Sequence, residues 1–410
     1  MRWLGTPAHA RWLEREADAL LAFAAGSVVD EGFGYLDAEG EVVPDEGVHL
    51  WVTCRMIHAF SLGVLLGRPG AASMVDHGLA ALAGPLADAE HGGWYAQVGP
   101  HGPIDDRKAA YAHAFVVLAT SSATAAGRPG AREALDRALE VSLRHFWDDE
   151  AGMVVESWDA GFTELEPYRG VNANMHTVEA YLAAADVTGD DAWLDRALRI
   201  AQRVVVDLAP QHAWRIPEHF DEAWQPLLDY NADSPADPFR PAGATIGHWL
   251  EWSRLALHVV AALEARGRAV PEGLETGARS LFEAAVEEGW SVDGDDGFVY
   301  TVTFEGAPLV RERMHWVVTE AIGAAAALRR RTGEETYDAW YRLWWEYAAQ
   351  HLIDEEHGSW VHELSPSNEP SGTVWEGKPD IYHAIQATLV PRLPLAPSLA
   401  SALAQGLLDT

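Results

Sequence analysis

Five histidines and an arginine recur along this 410-residue chain at intervals of about one helical hairpin: Arg55, His113, His176, His248, His315 and His383. Imidazole titrates nearest neutrality, so histidines brought to one pocket supply both a base and an acid at one pH. Two of them begin a His-x-x-Glu spacing, His176 with Glu179 and His248 with Glu251. Residues three apart share a helix face, so each carboxylate is expected to touch and orient its own imidazole. Glu320, four residues after Trp316, is placed to do the same from a neighbouring wall. A carboxylate beside imidazole fixes the tautomer and favours the charged form, both useful for moving protons. Helical di-metal sites use the opposite order, Glu-x-x-His, so the pattern speaks for acid–base chemistry, with no metal and no other cofactor expected.

Aromatic residues gather at the same positions: Trp51, Tyr111, Trp249, Trp252, Trp316 and Tyr382. Rings beside a few fixed polar groups suit a small polar molecule with apolar faces, such as a sugar, although most of these rings are expected to pack between helices. Arg55 and Arg240 are candidate anchors for hydroxyl or anionic oxygens; Arg240 lies in DPFRPAGAT, where prolines disfavour helix and leave it facing a cavity mouth. Nucleophile chemistry finds little support. Cys54 has no evident basic partner, and neither a G-x-S-x-G elbow nor a phosphate-binding glycine loop is present. An inverting glycosidase would need two carboxylates across a cleft, which Asp105, Asp106 or Glu218 could supply.

The elements that must position these residues are helical. Each anchor sits in an apolar, helix-patterned segment such as NMHTVEAYLAAA or GHWLEWSRLALHVVAAL, and each segment ends at turn punctuation, including Gly67-Arg-Pro, Gly127-Arg-Pro and Thr332-Gly-Glu. Segments with a charged face, AREALDRALEVSLRHFW and DAWLDRALRIAQRVVVDL, suit an outer layer, and the more apolar ones an inner layer. Between units come short turns such as HGGWYAQV and EHGSWVHEL, which read as small hairpins. Six inner–outer pairs predict an all-α (α/α)6 barrel with short β-hairpins in its loops. Nothing in residues 1–410 marks a linker, so one domain is expected.

Composition narrows the partners. Lys and Arg total 29 against 62 Asp and Glu, a net charge of −33, which argues against nucleic acid or an anionic membrane. A single cysteine precludes an intrachain disulfide, and no apolar run approaches the ~20 residues needed to span a bilayer. The first residues show no signal-type apolar core, so a soluble cytoplasmic protein is expected, as a monomer or homodimer.

The strings HLWVTCRMIHAF, NANMHTVEAYL, IPEHFDEAW, FRPAGATIGHWLEWSRL and GKPDIYHAIQATL resemble the N-acylglucosamine 2-epimerase superfamily over essentially the whole chain. The likeness is greatest to its aldose–ketose isomerases, those acting on mannose or sulfoquinovose. This resemblance implies an (α/α)6 barrel whose central pocket interconverts a free aldose and its ketose without a metal. By position it implies a site of Arg55, Tyr111, Asn172, His176, His248, Glu251, Asp380 and His383, with Trp316 on the wall and Glu320 and Arg240 nearby. His248 and His383 are then expected to exchange protons between C1 and C2 through a cis-enediol. His176 would assist ring opening, Arg55 would polarise substrate oxygens, and Glu251 would orient His248. His113 and His315 are expected to be scaffold, and His362, in GSWVHELSP, to lie near the mouth. D-mannose and D-fructose are the expected pair, with D-lyxose and D-xylulose as a side activity. The rivals are a sugar 2-epimerase, a sulfoquinovose isomerase, a non-catalytic sugar-binding toroid and an (α/α)6 glycoside hydrolase or lyase.

Overall fold

The computed structural model describes residues 2–410. After α1 (Pro7–Ala24) the chain runs through helical hairpins: α2 (Leu50–Leu65) with α3 (Ala71–Ala83), α4 (Ala110–Ala125) with α5 (Ala131–Val141), and α6 (Val171–Thr188) with α7 (Asp191–Ala201). It continues through α8 (Ile246–Ala265) with α9 (Leu274–Gly289) and α10 (His315–Thr332) with α11 (Glu335–Tyr347), ending in α12 (Tyr382–Leu389) and α13 (Leu399–Ala404). The even-numbered helices pack side by side in chain order, and α12 packs back on α2, so the inner ring closes. α1 packs on α12, so the last inner–outer pair joins the two ends of the chain. This is the (α/α)6 barrel that the repeat implies.

The layer each helix occupies follows its pattern. α8 buries residues all round, from Ile246 to Leu263, whereas α5 and α7 bury only a stripe (Ala134, Leu135, Ala138 and Leu139; Leu194, Ala197, Ile200 and Ala201). The tight turns use left-handed glycines, Gly67 at φ +71° and Gly127 at φ +66°, where a side chain would be strained.

Short strands decide where the helices begin. The two or three residues before an inner helix pair antiparallel with the following loop: Val48–His49 with Gln97–Gly99, Lys108–Ala109 with Ser157–Trp158, and Tyr168–Gly170 with His219–Asp221. The same holds for Ala244–Thr245 with Thr301–Val302 and Arg313–Met314 with Glu363–Leu364. These ladders pin the N-termini of successive inner helices at one end of the ring, where their positive dipole ends favour negative charge.

Asn174 shows how tightly loop and helix are tied. Its fully buried amide accepts from the Val154 N–H at 2.8 Å and donates to the carbonyls of Val154 (3.0 Å) and Gly170 (2.8 Å). Asn174→Ala strands the buried Val154 N–H and carbonyl and removes the second bond to the Gly170 carbonyl, so chemical denaturation should show a loss of about 2–4 kcal/mol.

Candidate active site

A cavity of about 690 Å³, counted out to its mouth, fills the end of the barrel where the inner helices start. Its wall takes Arg55 from α2, Tyr111 from α4, Asn172 and His176 from α6, His248 and Glu251 from α8, Trp316 from α10 and His383 from α12, with Asp380 just before α12. These nine residues, all singled out in the sequence as site residues, therefore meet in one chamber.

Two imidazoles are held alike. His248 Nδ1 lies 2.9 Å from Glu218 Oε2, and His383 Nδ1 lies 3.1 Å from Glu320 Oε1. A carboxylate acceptor places the hydrogen on Nδ1, leaving Nε2 as the free nitrogen of a ring on the cavity wall. Burial, reinforced by the Arg55 charge, holds His383 well below the usual histidine value, so its imidazole is neutral. Trp316 lies beside both rings, its centroid 5.3 Å from that of His248 and 5.7 Å from that of His383. Gly247 makes this possible: a Cβ there would come within 2.2 Å of the indole.

Arg55 is the cavity's cation. It donates to Asp380 Oδ2 at 3.0 Å and to the Tyr111 hydroxyl at 2.9 Å, and it lies over the Phe115 and Tyr382 rings. Desolvation works against its charge, but Tyr111, Asp380 and Tyr382 outweigh it and raise its pKa. Its Nε has no partner among the described residues, and neither has the Asn172 Oδ1. Asp380 also accepts the Tyr382 N–H at 2.8 Å, tying Arg55 to the start of the helix that carries His383.

Several expectations need correction. Glu251 does not orient His248; Glu218, from the loop before α8, does. Helical side chains lean toward their own N-terminus, so His248, in the first turn, tilts out to the loops while Glu251 stays one turn deeper. There Glu251 Oε1 lies 3.7 Å from His176 Nδ1, beyond hydrogen-bond range, and 3.4 Å from Arg254. Burial and the neighbouring Glu320 push the Glu251 carboxyl well above the usual range. Glu179 likewise leaves His176 and takes the Tyr382 hydroxyl and Gln386. Glu320 stands behind His383 and does not line the cavity. Arg240 is not free at the mouth: Glu166 holds its guanidinium in a two-bond fork at 2.6 and 2.9 Å, and it stacks 3.9 Å over Tyr168, facing a side groove.

His315, expected as scaffold, lines the cavity and stacks 3.8 Å from His362, which lines it too. Burial lowers His315 to about 4 and His362 well below its usual value, so the pair is neutral. His113 is scaffold as expected, its Nε2 donating to the Ala138 carbonyl. Trp249 and Trp252 are core packing, fully buried.

The periodic pattern missed the roof. Phe239 and Trp375 close over Trp51 and Tyr111, with ring centroids 5.2–6.2 Å apart. Glu363 holds that loop, accepting from the backbone N–H groups of Thr373, Val374 and Trp375. Glu218 was visible within IPEHFDEAW, but no helical spacing links it to His248.

Two buried trios have donor atoms within 4.8 Å of one another: His176, Glu179 and Glu251; and Glu251, Glu320 and His383. Their cationic partner is already in the chain, because Arg254 Nε lies 2.8 Å from Glu320 Oε2 with Nη2 beside Glu251. No helix among the described residues is long and apolar enough to cross a membrane.

A family model described as N-acylglucosamine 2-epimerase (GlcNAc 2-epimerase) matches residues 32–387. The chain is 55% identical to a D-mannose isomerase of Thermobifida fusca, over 98% of each chain. It is 52% identical to a D-mannose isomerase of Pseudomonas cannabina pv. alisalensis, over 98% of this chain and 97% of that one. A crystal structure of D-mannose isomerase superposes with a TM-score of 0.86 at 27% identity, covering 93% of this chain and 98% of the other. With a match that begins before α2, ends inside α12 and so takes in the whole inner ring, the chain belongs to the N-acylglucosamine 2-epimerase family.

Proposed function

We propose that this protein is an aldose–ketose isomerase that interconverts D-mannose and D-fructose without a metal, with D-lyxose and D-xylulose as a side pair. One observation carries the reading: two imidazoles, each backed by its own carboxylate at Nδ1, line one cavity beside Trp316. The isomerase relatives, similar over nearly the whole chain, support the choice of sugar.

In this reading the sugar binds with C1 and C2 of its open chain between His248 and His383. One histidine removes the C2 hydrogen as a proton through Nε2, and its carboxylate stabilises the imidazolium that forms. The electron pair moves into the C1–C2 bond and the carbonyl oxygen becomes an enediolate oxygen. Arg55 and the surrounding helix N-termini stabilise that charge. Delivery of a proton to C1 and transfer of the O2 proton to that O1 oxygen leave the carbonyl at C2 and complete the ketose. His176, neutral because burial and the Arg55 charge hold its pKa well below 6.5, takes the anomeric hydroxyl proton and returns it to the ring oxygen as the bond from C1 to that oxygen breaks.

The test is to incubate EDTA-treated protein with D-mannose in D2O and follow the sugars by NMR. Fructose is expected as the main early product, deuterated at C1. Glucose as the first product would instead make the chain a 2-epimerase, and inertness toward every free sugar would sink both readings.

A further inference from the structure

The centre of the barrel holds a cation that the reaction scheme leaves unused. Arg254, on α8, is 98% buried. It donates from Nε to Glu320 Oε2 at 2.8 Å and from Nη2 toward Glu251 Oε1 at 3.4 Å. The other oxygen of Glu320 is the one that receives His383 Nδ1. One carboxylate thus bridges a buried guanidinium and a cavity-lining imidazole. The barrel is built to admit this side chain: at Gly323 on α10, one turn after Glu320, a Cβ would come within 3.0 Å of Arg254 Cδ. Arg254 does not line the active-site cavity; it lines a separate chamber at the other end of the barrel.

Several buried carboxylates share this region. Glu179 from α6, Glu251 from α8 and Glu320 from α10 face one guanidinium, with His258 of α8 close by. Buried carboxylates this close cannot all stay ionised without a cation, since desolvation and mutual repulsion both favour protonation. A protonated Glu320 would no longer accept from His383. It would donate to Nδ1, moving the ring hydrogen to Nε2 and removing the base from the cavity.

We propose that Arg254 is a positioning residue for proton transfer, holding Glu320 ionised and aimed so that His383 keeps its hydrogen on Nδ1 and its base at Nε2. This rests on the acid–base role proposed for His383. The other charged or titratable groups facing His383 are Arg55 from α2, Asp380 before α12, His176 from α6, His315 from α10 and His362 from the mouth loop, with Tyr382 beside it on α12. None of these contacts Glu320 as Arg254 does.

The experiment measures kcat and KM for D-mannose across pH in the wild-type protein and in Arg254→Met, with thermal unfolding of each. Arg254→Met should lower kcat at neutral pH by roughly 10²-fold with little change in KM. The acid limb of kcat should move up by about one pH unit or more, because Glu320 must now lose a proton to work. A folded Arg254→Met with wild-type kcat overturns the proposal. So does a kcat lowered equally at every pH with the limb unmoved, which would mark a packing role. If Arg254→Met does not fold, the neutral pair Arg254→Met/Glu320→Gln, which leaves Glu320 no charge to compensate, is compared with Glu320→Gln alone. Equal kcat in these two supports action through Glu320, and a further loss of more than about tenfold overturns it. Failure of the wild-type protein to act on any free sugar would be a failure of the isomerase reading, seen before any variant is made.

Discussion

His383→Asn is expected to lower kcat for D-mannose by about 10³–10⁴ while the barrel stays folded, and His248→Asn to do the same. Asparagine suits the test because its amide can still donate to Glu320 or Glu218, so neither buried carboxylate is orphaned and the loss reports the missing Nε2. Circular dichroism and thermal unfolding check the fold. Exchange of the C2-bound hydrogen of mannose with D2O, followed by NMR, then separates the two roles. The variant that still exchanges that hydrogen has kept the base and lost only its partner, and the one that does not has lost the base. Wild-type activity in either variant would overturn the assignment for that residue. The pH profile carries a further sign. The base must be neutral to act, and burial with the Arg55 charge holds His383 well below 6.5. If His383 is the base, the acid limb of wild-type kcat/KM should therefore lie below pH 6.5.

Arg55→Met is the second large effect, a fall in kcat of roughly 10²–10³, the range seen when one preorganised donor to a developing oxyanion is removed. Arg55→Lys should recover little of it. An ammonium is a point charge on a flexible stem and cannot reproduce the fork that reaches Asp380 and Tyr111 while leaving Nε unpartnered. Arg55→Met should also unfold more easily, because Asp380, which accepts the first N–H of α12, loses its buried cation. Wild-type kcat in Arg55→Met, with only KM raised, would reduce Arg55 to a ground-state binding group.

The ring was legible because repetition is a property of sequence. Anchors at one hairpin's spacing, glycines at the turns and a charged stripe on alternate helices specify inner and outer layers without any long-range contact being known. The same regularity put Arg55, His176, His248 and His383 at equivalent heights, and the structure brings all four to one cavity. What failed were the His-x-x-Glu pairings within one helix, whereas Glu320, placed from a neighbouring wall, does meet an imidazole, that of His383. His248 and His176 were expected to rest on the glutamates three residues on; instead Glu218 takes His248 from a loop and Glu179 turns to Tyr382.

The reason is geometric. An inner helix of a closed ring has neighbours on both flanks and loops over its end. A first-turn side chain leaning toward the helix N-terminus therefore meets the loops, while one a turn deeper meets the next helix. Sequence periodicity fixes which residues face inward and how far along the axis, since both follow from the rise and turn of one helix. It cannot fix which inward-facing group touches which, because those distances depend on how separate helices and loops close around the axis. The sequence by itself thus determined the barrel, the height of the site and the kind of chemistry its side chains could do. Only the tertiary structure decided that Glu218 backs His248 and that His383 is the imidazole Glu320 meets, that Glu166 occupies Arg240, that His315 belongs to the wall, and that Arg254 sits among the buried carboxylates beneath it.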